Sequence, residues 1–479
     1  MNLSQLNIGI LHSLVGKNDG VSIVIDQSVE AMVKSLNIPL GNIFFLAAHT
    51  SPRFNAETDE VFWHKNDINR KIVKYFSIDP PQHLETLIEK FAAYAEQRIE
   101  RFIQTNHIDI LIAHNTSHPY NFITAVGLGR YLEKRRGSGM AWPKVLVWWH
   151  DSYFERPAFS DPNELMQRYL KYLPGTEIDG IVFINREQQA LAERYYQTFT
   201  LPKNNFFAHY TAVIPNTCDI TWNWRGQDWN GAAPVVPPVD PYNHDFFRDI
   251  GLERLLRAKN HMVKNTILLL QHTRVVPRKK IETAIDLAFR LAAKSVPSRP
   301  VALIVSGPSG DEQTNYKNFL KRYYLQQCAR QPQGVPEVFL CFAENRVLAY
   351  RDVIVDRKFY SFGEVPAIIA AHGGLGVFFS EIEGFGNNLL EMIGSGLPVV
   401  VNRYPVYREE IAPLGFQLPG IDHGRLTDQL VDDAWELLNE MPRRNAHIYH
   451  NMAVLDEKLN HRVMAEKLRT LFENLFFRV

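Results

Sequence analysis

The chain has 479 residues, of which 46% are hydrophobic, and this length suits two large domains or about three smaller ones. Its 52 Lys and Arg residues balance 52 Asp and Glu residues, so no overall field would attract nucleic acid or an anionic membrane. The sequence shows neither a signal-peptide pattern nor a long uncharged apolar run. We therefore expect a cytoplasmic protein with no nucleic-acid partner and no transmembrane segment.

The three cysteines, Cys218, Cys328 and Cys341, are widely separated in the sequence. Their odd number and wide spacing fit neither a disulfide framework nor a metal site. We expect them to be packing residues in a reducing compartment, which agrees with a cytoplasmic location.

Short apolar runs alternate with amphipathic stretches through residues 1–216. Residues 82–105, for example, carry apolar positions at intervals of three and four, which predicts a helix. This alternation is typical of a parallel sheet covered by helices, and it predicts one Rossmann-like domain over residues 1–216. The predicted strands lie in NIGILHS, NIFFLAA, IDILIAHN, KVLVWWHD, DGIVFIN and AVIPN.

Residues 217–261 interrupt this pattern, because they are crowded with proline, glycine and tryptophan. We interpret them as a linker or insert between domains. A second alternation predicts another parallel-sheet domain over residues 262–454. Residues 455–479 predict a helix that either closes the second domain or braces the first, and we favour the brace. The second set of strands lies in NTILLLQHTRVV, ALIVSGPSG, EVFLCFAE, GVFFSEIEG and LPVVVNRY.

The stretch SEIEGFGNNLLEMIGSG, residues 380–396, follows one of these predicted strands. Ligands of open parallel sheets bind beyond the carboxyl ends of the strands. Gly384 and Gly386 allow a tight turn and a close approach of the backbone to a ligand. Asn387 is predicted to cap a helix whose first peptide N–H groups, in residues 386–389, would attract the oxygens of a diphosphate.

Two glutamates flank this turn. Glu383 lies on the loop and Glu391 lies one turn inside the predicted helix, so they cannot form a close acid–base pair on one helix face. Separated in this way, the two carboxylates suit hydroxyl groups on either side of the phosphates of one ligand. The alternative is a capped surface helix with ordinary glutamates.

A basic turn occupies the stretch LLLQHTRVVPRKKIETAI, residues 268–285. Arg274 directly follows an apolar strand, a position that favours contact with a ligand. With Lys279 it could neutralise a diphosphate. A solvated basic turn is the simpler explanation for Arg278 and Lys280.

Together these residues resemble the retaining glycosyltransferases of family GT4, which have the GT-B fold. The hallmark of that family is a glutamate, a Gly-Phe-Gly-like loop and a second glutamate, here Glu383, Gly384–Gly386 and Glu391. Its arginine and lysine, five residues apart, match Arg274 and Lys279. The resemblance implies an α/β protein with two Rossmann-like parallel-sheet domains that face each other across a deep interdomain cleft.

The resemblance also implies a role for each matched residue in binding a nucleoside diphosphate hexose of the UDP or GDP type. Glu391 would bind the ribose hydroxyls, while Arg274 and Lys279 would bind the diphosphate. Glu383 and the backbone amides of Gly384–Asn387 would hold the transferred sugar. The loop residues assigned to the donor are Gly384, Phe385, Gly386, Asn387 and Asn388.

The first domain resembles the family less closely. Its stretch GKNDGVSI, residues 16–23, stands where the family has a glycine loop that faces the diphosphate and acceptor, with Asp19 and Gly20 in place of the usual glycine pair. Gly20 is therefore assigned to the donor. His150 follows the strand KVLVWW, where many family members place a histidine against the hydroxyls of the transferred sugar. A purely structural histidine is the alternative.

The activity implied by the resemblance is retaining, metal-independent hexosyl transfer to an acceptor hydroxyl, with no cofactor other than the donor. Glu383, His150, Arg274 and Lys279 would carry it. A glycoside phosphorylase or a sugar-nucleotide epimerase on the same fold, or a non-catalytic nucleotide-sugar-binding protein, are the alternatives. The strings TRVVPRKKIE and VVVNRYPVY also resemble bacterial enzymes that make small soluble glycosides of the mannosylglucosylglycerate type.

Overall fold

A computed structural model of the chain divides into two compact units. The first unit comprises Met1–Thr217 and His461–Val479, and the second comprises Cys218–Asn460. From Cys218 onward, the segment predicted as a linker belongs to the second unit. The residues that the structure describes are 3–17, 19–175, 177–198, 210–231, 233–295, 298–309 and 314–477.

The first unit is built on a parallel sheet, as predicted. Its strands are β1 (Ile8–Leu11), β2 (Leu14–Val15), β3 (Ile43–Ala47), β4 (His49–Thr50), β5 (Ala56–Thr58), β6 (Ile110–His114), β7 (Lys144–Trp149), β8 (Gly180–Phe183) and β9 (Tyr210–Val213). Within the described residues, seven of them form one sheet in the order β5-β3-β1-β6-β7-β8-β9, and every neighbouring pair is parallel. Strands β2 and β4 pair separately.

Helices cover this sheet because their apolar faces recur at helical spacing. They are α1 (Gly20–Ser35), α2 (Asp67–Lys74), α3 (Leu84–Thr105), α4 (Phe122–Gly137), α5 (Glu164–Gln167) and α6 (Arg186–Thr198). Helix α3 confirms the helix predicted over 82–105, and it buries Ile88, Ala92, Ala95 and Ile99 along one face. A Cβ atom at Gly127 would lie 2.8 Å from the Cβ of Ala95, so glycine lets α4 approach α3 closely.

The second unit contains another parallel sheet. Its strands are β10 (Ile267–Gln271), β11 (Val301–Val305), β12 (Val338–Phe342), β13 (Val347–Leu348), β14 (Asp352–Ile354), β15 (Arg357–Ser361), β16 (Leu375–Phe378), β17 (Val399–Asn402) and β18 (Gly420–Ile421). Among the described residues, six strands pair in the order β12-β11-β10-β16-β17-β18. The neighbouring strands of this sheet are all parallel. Strands β13, β14 and β15 form a small separate sheet that the sequence did not predict.

The helices of the second unit are α7 (Phe246–Asp249), α8 (Leu252–Arg257), α9 (Ile281–Lys294), α10 (Thr314–Arg330), α11 (Val365–Ala371), α12 (Asn387–Gly394), α13 (Asp428–Asn439) and α14 (Met441–Lys458). The last helix, α15 (His461–Phe477), belongs to the first unit, where it packs against α1. His461 at its start contacts Thr217, with 2.8 Å between Nδ1 and Oγ1. In the described part of the chain, no helix is long and apolar enough to cross a membrane.

Each large sheet has one point where the order of its strands reverses. In the first sheet β1 lies between β3 and β6, and in the second β10 lies between β11 and β16. The chain therefore leaves neighbouring strands toward opposite faces of the sheet, which opens a crevice beyond their carboxyl ends. The loops after β10 and β16 contain the basic turn and the glutamate-containing turn, so the topology places these two predicted segments side by side.

Candidate functional site

The loops after β10 and β16 are connected directly. The backbone N–H of Glu381 donates to the carbonyl oxygen of Arg278 at 2.9 Å. The guanidinium of Arg278 donates to the carbonyl oxygen of Ile382 at 2.6 Å. Arg278 thus joins the two loops, and our interpretation of this residue as solvated surface was wrong.

Lys279 and Glu383 form a buried ion pair. Their side chains are 7% and 9% exposed, and the ammonium group of Lys279 donates to Oε1 of Glu383. Nη1 of Arg278 lies 3.1 Å from the other carboxylate oxygen. The sequence assigned Lys279 to a diphosphate and Glu383 to a sugar, whereas in this structure the two side chains contact each other.

Each charge of this pair opposes the effect of burial on the pKa of the other. Burial alone would raise the pKa of Glu383, but Lys279 and Arg278 hold that pKa below its ordinary value. Burial lowers the pKa of Lys279, and the negative charge of Glu383 opposes that shift. Glu383 is therefore an ionised carboxylate held by two cations.

Arg274 is the exposed cation of the same loop. Its charge reaches Lys279, since it contributes to the lowered pKa of that lysine. Arg274, Lys279 and Glu383 thus come together at one end of the second sheet.

Glu391 lies on α12 and is held by a residue that the sequence did not indicate. Its Oε2 atom is 3.1 Å from Nε2 of His272, and its side chain is 18% exposed. His272 follows β10 and is completely buried. The side-chain amide of Asn388 donates to the carbonyl oxygen of His272, so α12 is joined to the end of β10 at two points.

The start of α12 differs from the prediction in one respect. Gly386 is the N-cap and Asn387 is the first helical residue, so Asn387 does not cap the helix. Gly386 has φ 124°, a conformation open to glycine, and a Cβ atom there would lie 2.3 Å from Oη of Tyr404. Tyr404 donates to the carbonyl oxygen of Phe385 at 2.6 Å and supports the turn from below.

Two other residues of the turn have different exposures. Phe385 is 3% exposed, so its side chain packs inside the protein rather than facing a ligand. Gly384 is exposed. Only the backbone of this turn is thus suited to the donor contacts that the sequence predicts.

In the first unit, His150 is half-buried just after β7. Its Nε2 atom lies 3.0 Å from Nδ1 of His114, and the two rings stack with centroids 5.3 Å apart. Nδ1 of His12, which follows β1, donates to the carbonyl oxygen of His114 at 3.2 Å. The sequence did not single out His12 or His114 individually, although each stands at the end of an apolar strand, as His150 does.

These histidines are neutral at ordinary pH. Burial, with the neighbouring His12 as a second cause, lowers the pKa of His150 to about 3. Burial also lowers the pKa of His114, and His150 and His12 lower it further. Neutral imidazoles offer one donor and one acceptor each, so this cluster suits hydroxyl groups rather than anions.

Gly20 is the first residue of α1. Asp19 caps that helix, because its carboxylate accepts hydrogen bonds from the backbone of Val21 and Ser22, both at 3.1 Å. Gly20 is exposed, and a Cβ atom there would meet nothing within 4 Å. Packing therefore does not explain a glycine at this position. Gly20 and His150 belong to the first unit, whereas the other predicted site residues belong to the second.

In the described ranges, no group of three or more His, Cys, Asp or Glu side chains could hold a metal ion. No protein-family model matches the sequence. The chain is 25% identical over 437 residues to mannosylglucosylglycerate synthase from Petrotoga mobilis, covering 86% of each protein.

Solved structures that resemble nearly the whole chain include the following two. Sucrose-phosphate synthase from Thermosynechococcus elongatus aligns with a TM-score of 0.59 and 13% identity, covering 98% of this chain and 99% of its own. HepE from Anabaena, solved in complex with UDP and glucose, aligns with a TM-score of 0.57 and 14% identity, covering 98% and 100%. These similarities confirm the predicted architecture of two Rossmann-like parallel-sheet domains.

Proposed function

We propose that this chain is a GT4-type glycosyltransferase that transfers a hexose from a nucleoside diphosphate sugar to an acceptor hydroxyl. The observation that carries the proposal is the convergence at the switch point of the second sheet. There Arg274 and Lys279 follow one strand, while Glu383 and Glu391 lie before and inside the helix that follows the neighbouring strand. A nucleoside diphosphate sugar has matching groups, which are ribose hydroxyls, a diphosphate and sugar hydroxyls.

We assign Glu391 to the ribose. Its carboxylate is partly exposed, and only Oε2 is engaged by His272 in that hydrogen bond. The carboxylate also has a second oxygen, Oε1, and can accept hydrogen bonds from vicinal hydroxyls.

We assign Arg274 and Lys279 to the diphosphate and Glu383 to the transferred sugar. Removing one partner from a buried ion pair is costly unless another group replaces it. A donor brings both replacements, because its diphosphate can bind Lys279 while its sugar hydroxyls donate to Glu383. When the donor binds, Lys279 and Glu383 then replace their contact with each other by contacts with the ligand.

We propose a retaining, metal-independent reaction. The bond between the anomeric carbon and the phosphate oxygen breaks, a bond to the acceptor oxygen forms on the same face, and the acceptor proton passes to the departing phosphate. Arg274, Lys279 and the N–H groups at the start of α12 supply positive charge to that phosphate. Glu383 is held by Lys279 and Arg278, which suits a sugar-binding role better than that of a general base.

The neutral imidazole of His150 is suited to the hydroxyls of a sugar. The exposed Gly20 leaves the start of α1 open to a close approach by a ligand. We therefore keep His150 and Gly20 as proposed substrate-binding residues of the first unit.

A panel of nucleoside diphosphate sugars would test the proposal. A donor present at a hundred times its dissociation constant adds about 2.7 kcal/mol to the free energy of unfolding, which a thermal shift detects. The name of the Petrotoga relative favours a nucleoside diphosphate mannose with a glucosylglycerate acceptor, and the UDP and glucose bound to HepE favour UDP-glucose as the second donor to test. No shift with any donor would contradict the proposal.

The stabilising donor is then incubated with acceptors and a chelator, and the anomeric coupling of fresh product is read by proton NMR. We expect product with the configuration of the donor. Inverted product would contradict retention, and activity restored only by a divalent metal would contradict metal independence. Phosphate-dependent release of hexose 1-phosphate would instead identify a phosphorylase.

A further inference from the structure

His272 lies where three elements of the second unit meet. It follows β10, its Nδ1 atom is 2.8 Å from Oγ of Ser306 after β11, and its Nε2 atom is 3.1 Å from Oε2 of Glu391 on α12. Its ring stacks on Phe362 with centroids 3.9 Å apart and planes 17° apart. These contacts hold both ring nitrogens and one face of the imidazole, so the ring has little freedom to turn.

The contact with Glu391 indicates that Nε2 of His272 carries a proton. An ionised carboxylate only accepts hydrogen bonds, so Nε2 of His272 donates to Glu391. Nδ1 is hydrogen-bonded to the hydroxyl of Ser306, which can donate or accept, so both ring nitrogens have a partner. In this arrangement His272 presents a fixed N–H group to Glu391.

We propose that His272 is a positioning residue that holds Glu391 in the orientation required to bind the ribose of the donor. The inference rests on the proposed function, since it presumes that a nucleotide binds at Glu391. His272 does not touch the donor itself, because it is completely buried. It acts by fixing one oxygen of Glu391, so that the carboxylate is already oriented before the nucleotide arrives.

The contrast with Glu383 supports this role. Glu383 is held by the cations Lys279 and Arg278, which a negatively charged ligand can draw away. Glu391 is held by the ring of His272, which is completely buried and bonded on its other side to Ser306, so an arriving diphosphate does not reach it. The orientation of Glu391 is therefore expected to persist when the donor binds, while the contacts of Glu383 change.

Two matched variants test the proposal. His272→Gln places an amide nitrogen near the position of Nε2, whereas His272→Asn places its amide near the position of Nδ1 and leaves Glu391 without its donor. Calorimetry with UDP and GDP measures the affinity. We expect His272→Asn to weaken binding of the preferred nucleotide by about tenfold, as for the loss of a hydrogen bond to a charged group, and His272→Gln to retain affinity within about threefold.

The same substitution in a Glu391→Ala background separates positioning from general damage. If His272 acts through Glu391, His272→Asn has no further effect on affinity once Glu391 is absent. If His272→Asn does not fold, His272→Phe replaces it, because a phenyl ring can keep the stacking on Phe362 while removing both hydrogen bonds.

The outcomes are distinguishable. If the wild-type chain binds neither UDP nor GDP, the proposed function fails. If the wild type binds a nucleotide and the folded His272→Asn or His272→Phe variant binds it equally well, the positioning role alone is overturned. An equal further loss in the Glu391→Ala background would also overturn it.

Discussion

The carboxyl ends of the two sheets carry different chemistry. In the first unit, neutral histidines after β1, at the end of β6 and after β7 contact one another, and burial keeps them uncharged. In the second unit, the loops after β10 and β16 hold a buried ion pair and an exposed arginine. The same topology thus supports a surface suited to neutral hydroxyls in one unit and a site suited to a diphosphate in the other.

The difference shows how burial and neighbouring charges set the charge of groups at the strand ends. Buried histidines lose their charge because desolvation disfavours the protonated form. A buried lysine keeps its charge only with an anion beside it, which here is Glu383. The stability of the ion-pair site in the second unit should therefore depend on both members of the pair. The stability contributed by the histidines of the first unit should depend on pH only in the range where they begin to protonate.

The largest effect is expected from breaking the ion pair between Lys279 and Glu383. Lys279→Ala leaves Glu383 buried with only Arg278 beside it, and this should lower the free energy of unfolding by about 3–5 kcal/mol. Urea denaturation measures the change. The double variant Lys279→Ala, Glu383→Gln removes the uncompensated charge and should recover most of the loss. A single variant as stable as the wild type would show that the pair is not a determinant of stability.

Arg274→Ala should act on turnover rather than on stability, because the side chain is exposed. If Arg274 stabilises the departing diphosphate, kcat/KM should fall by roughly a hundredfold to a thousandfold, or about 2.7–4 kcal/mol. Arg274→Lys should restore only part of it, since lysine lacks the planar fork. Lys280→Gln in the same turn is the matched control, and an equal loss in that variant would argue for a general effect of the basic turn.

Glu391→Ala should weaken donor and free nucleoside diphosphate alike. The loss of hydrogen bonds between ribose and a charged carboxylate corresponds to about 1.5–3 kcal/mol, or roughly a tenfold to hundredfold loss of affinity. Isothermal titration calorimetry measures both ligands. Unchanged affinity in a folded variant would remove Glu391 from the site.

The smallest effect concerns the neutral histidines at the strand ends of the first unit. The pKa of His150 is about 3 in the folded chain, below the ordinary value of about 6.5 for an unfolded histidine. Between these values the unfolded state binds more protons, so stability should fall as the pH drops from 6.5 toward 3. Each such histidine contributes at most about 1.4 kcal/mol per pH unit.

His150→Gln should therefore flatten the decrease in unfolding free energy between pH 6.5 and 5, as measured by urea denaturation. His107, an exposed histidine of the same unit, offers a control in His107→Gln. If His150→Gln leaves the pH dependence of the wild type unchanged, His150 does not enter the folded state as a neutral group.

Much of the fold was predictable because it depends on local patterns. Each predicted apolar run contains or overlaps a strand, although β9 begins at Tyr210, before the predicted run AVIPN. Helix α12 spans Asn387–Gly394, so the helix lies where it was predicted but starts one residue earlier than a cap at Asn387 implies. The short strands β13, β14 and β15 were missed, because two to five residues of mixed polarity carry too little periodicity to be recognised.

The candidate site was predictable in its members and less so in its contacts. Arg274, Lys279, Glu383 and Glu391 stand in recognisable positions relative to predicted strands and turns. The partners of these residues are remote in sequence, for Lys279 and Glu383 are 104 residues apart. No local pattern marks Arg278 as a link between loops, or Tyr404 as the residue whose hydroxyl lies against the turn at Gly386.

The sequence by itself determined the alternation of strands and helices, the neutral overall charge and the identity of the charged groups near the strand ends. These properties follow from residue types and short-range periodicity. Only the tertiary structure decided that His272 holds Glu391, that Lys279 pairs with Glu383, and that His12, His114 and His150 form one neutral cluster. Parallel strands bring residues from distant segments to one edge of a sheet, and burial at that edge then determines their charges and partners.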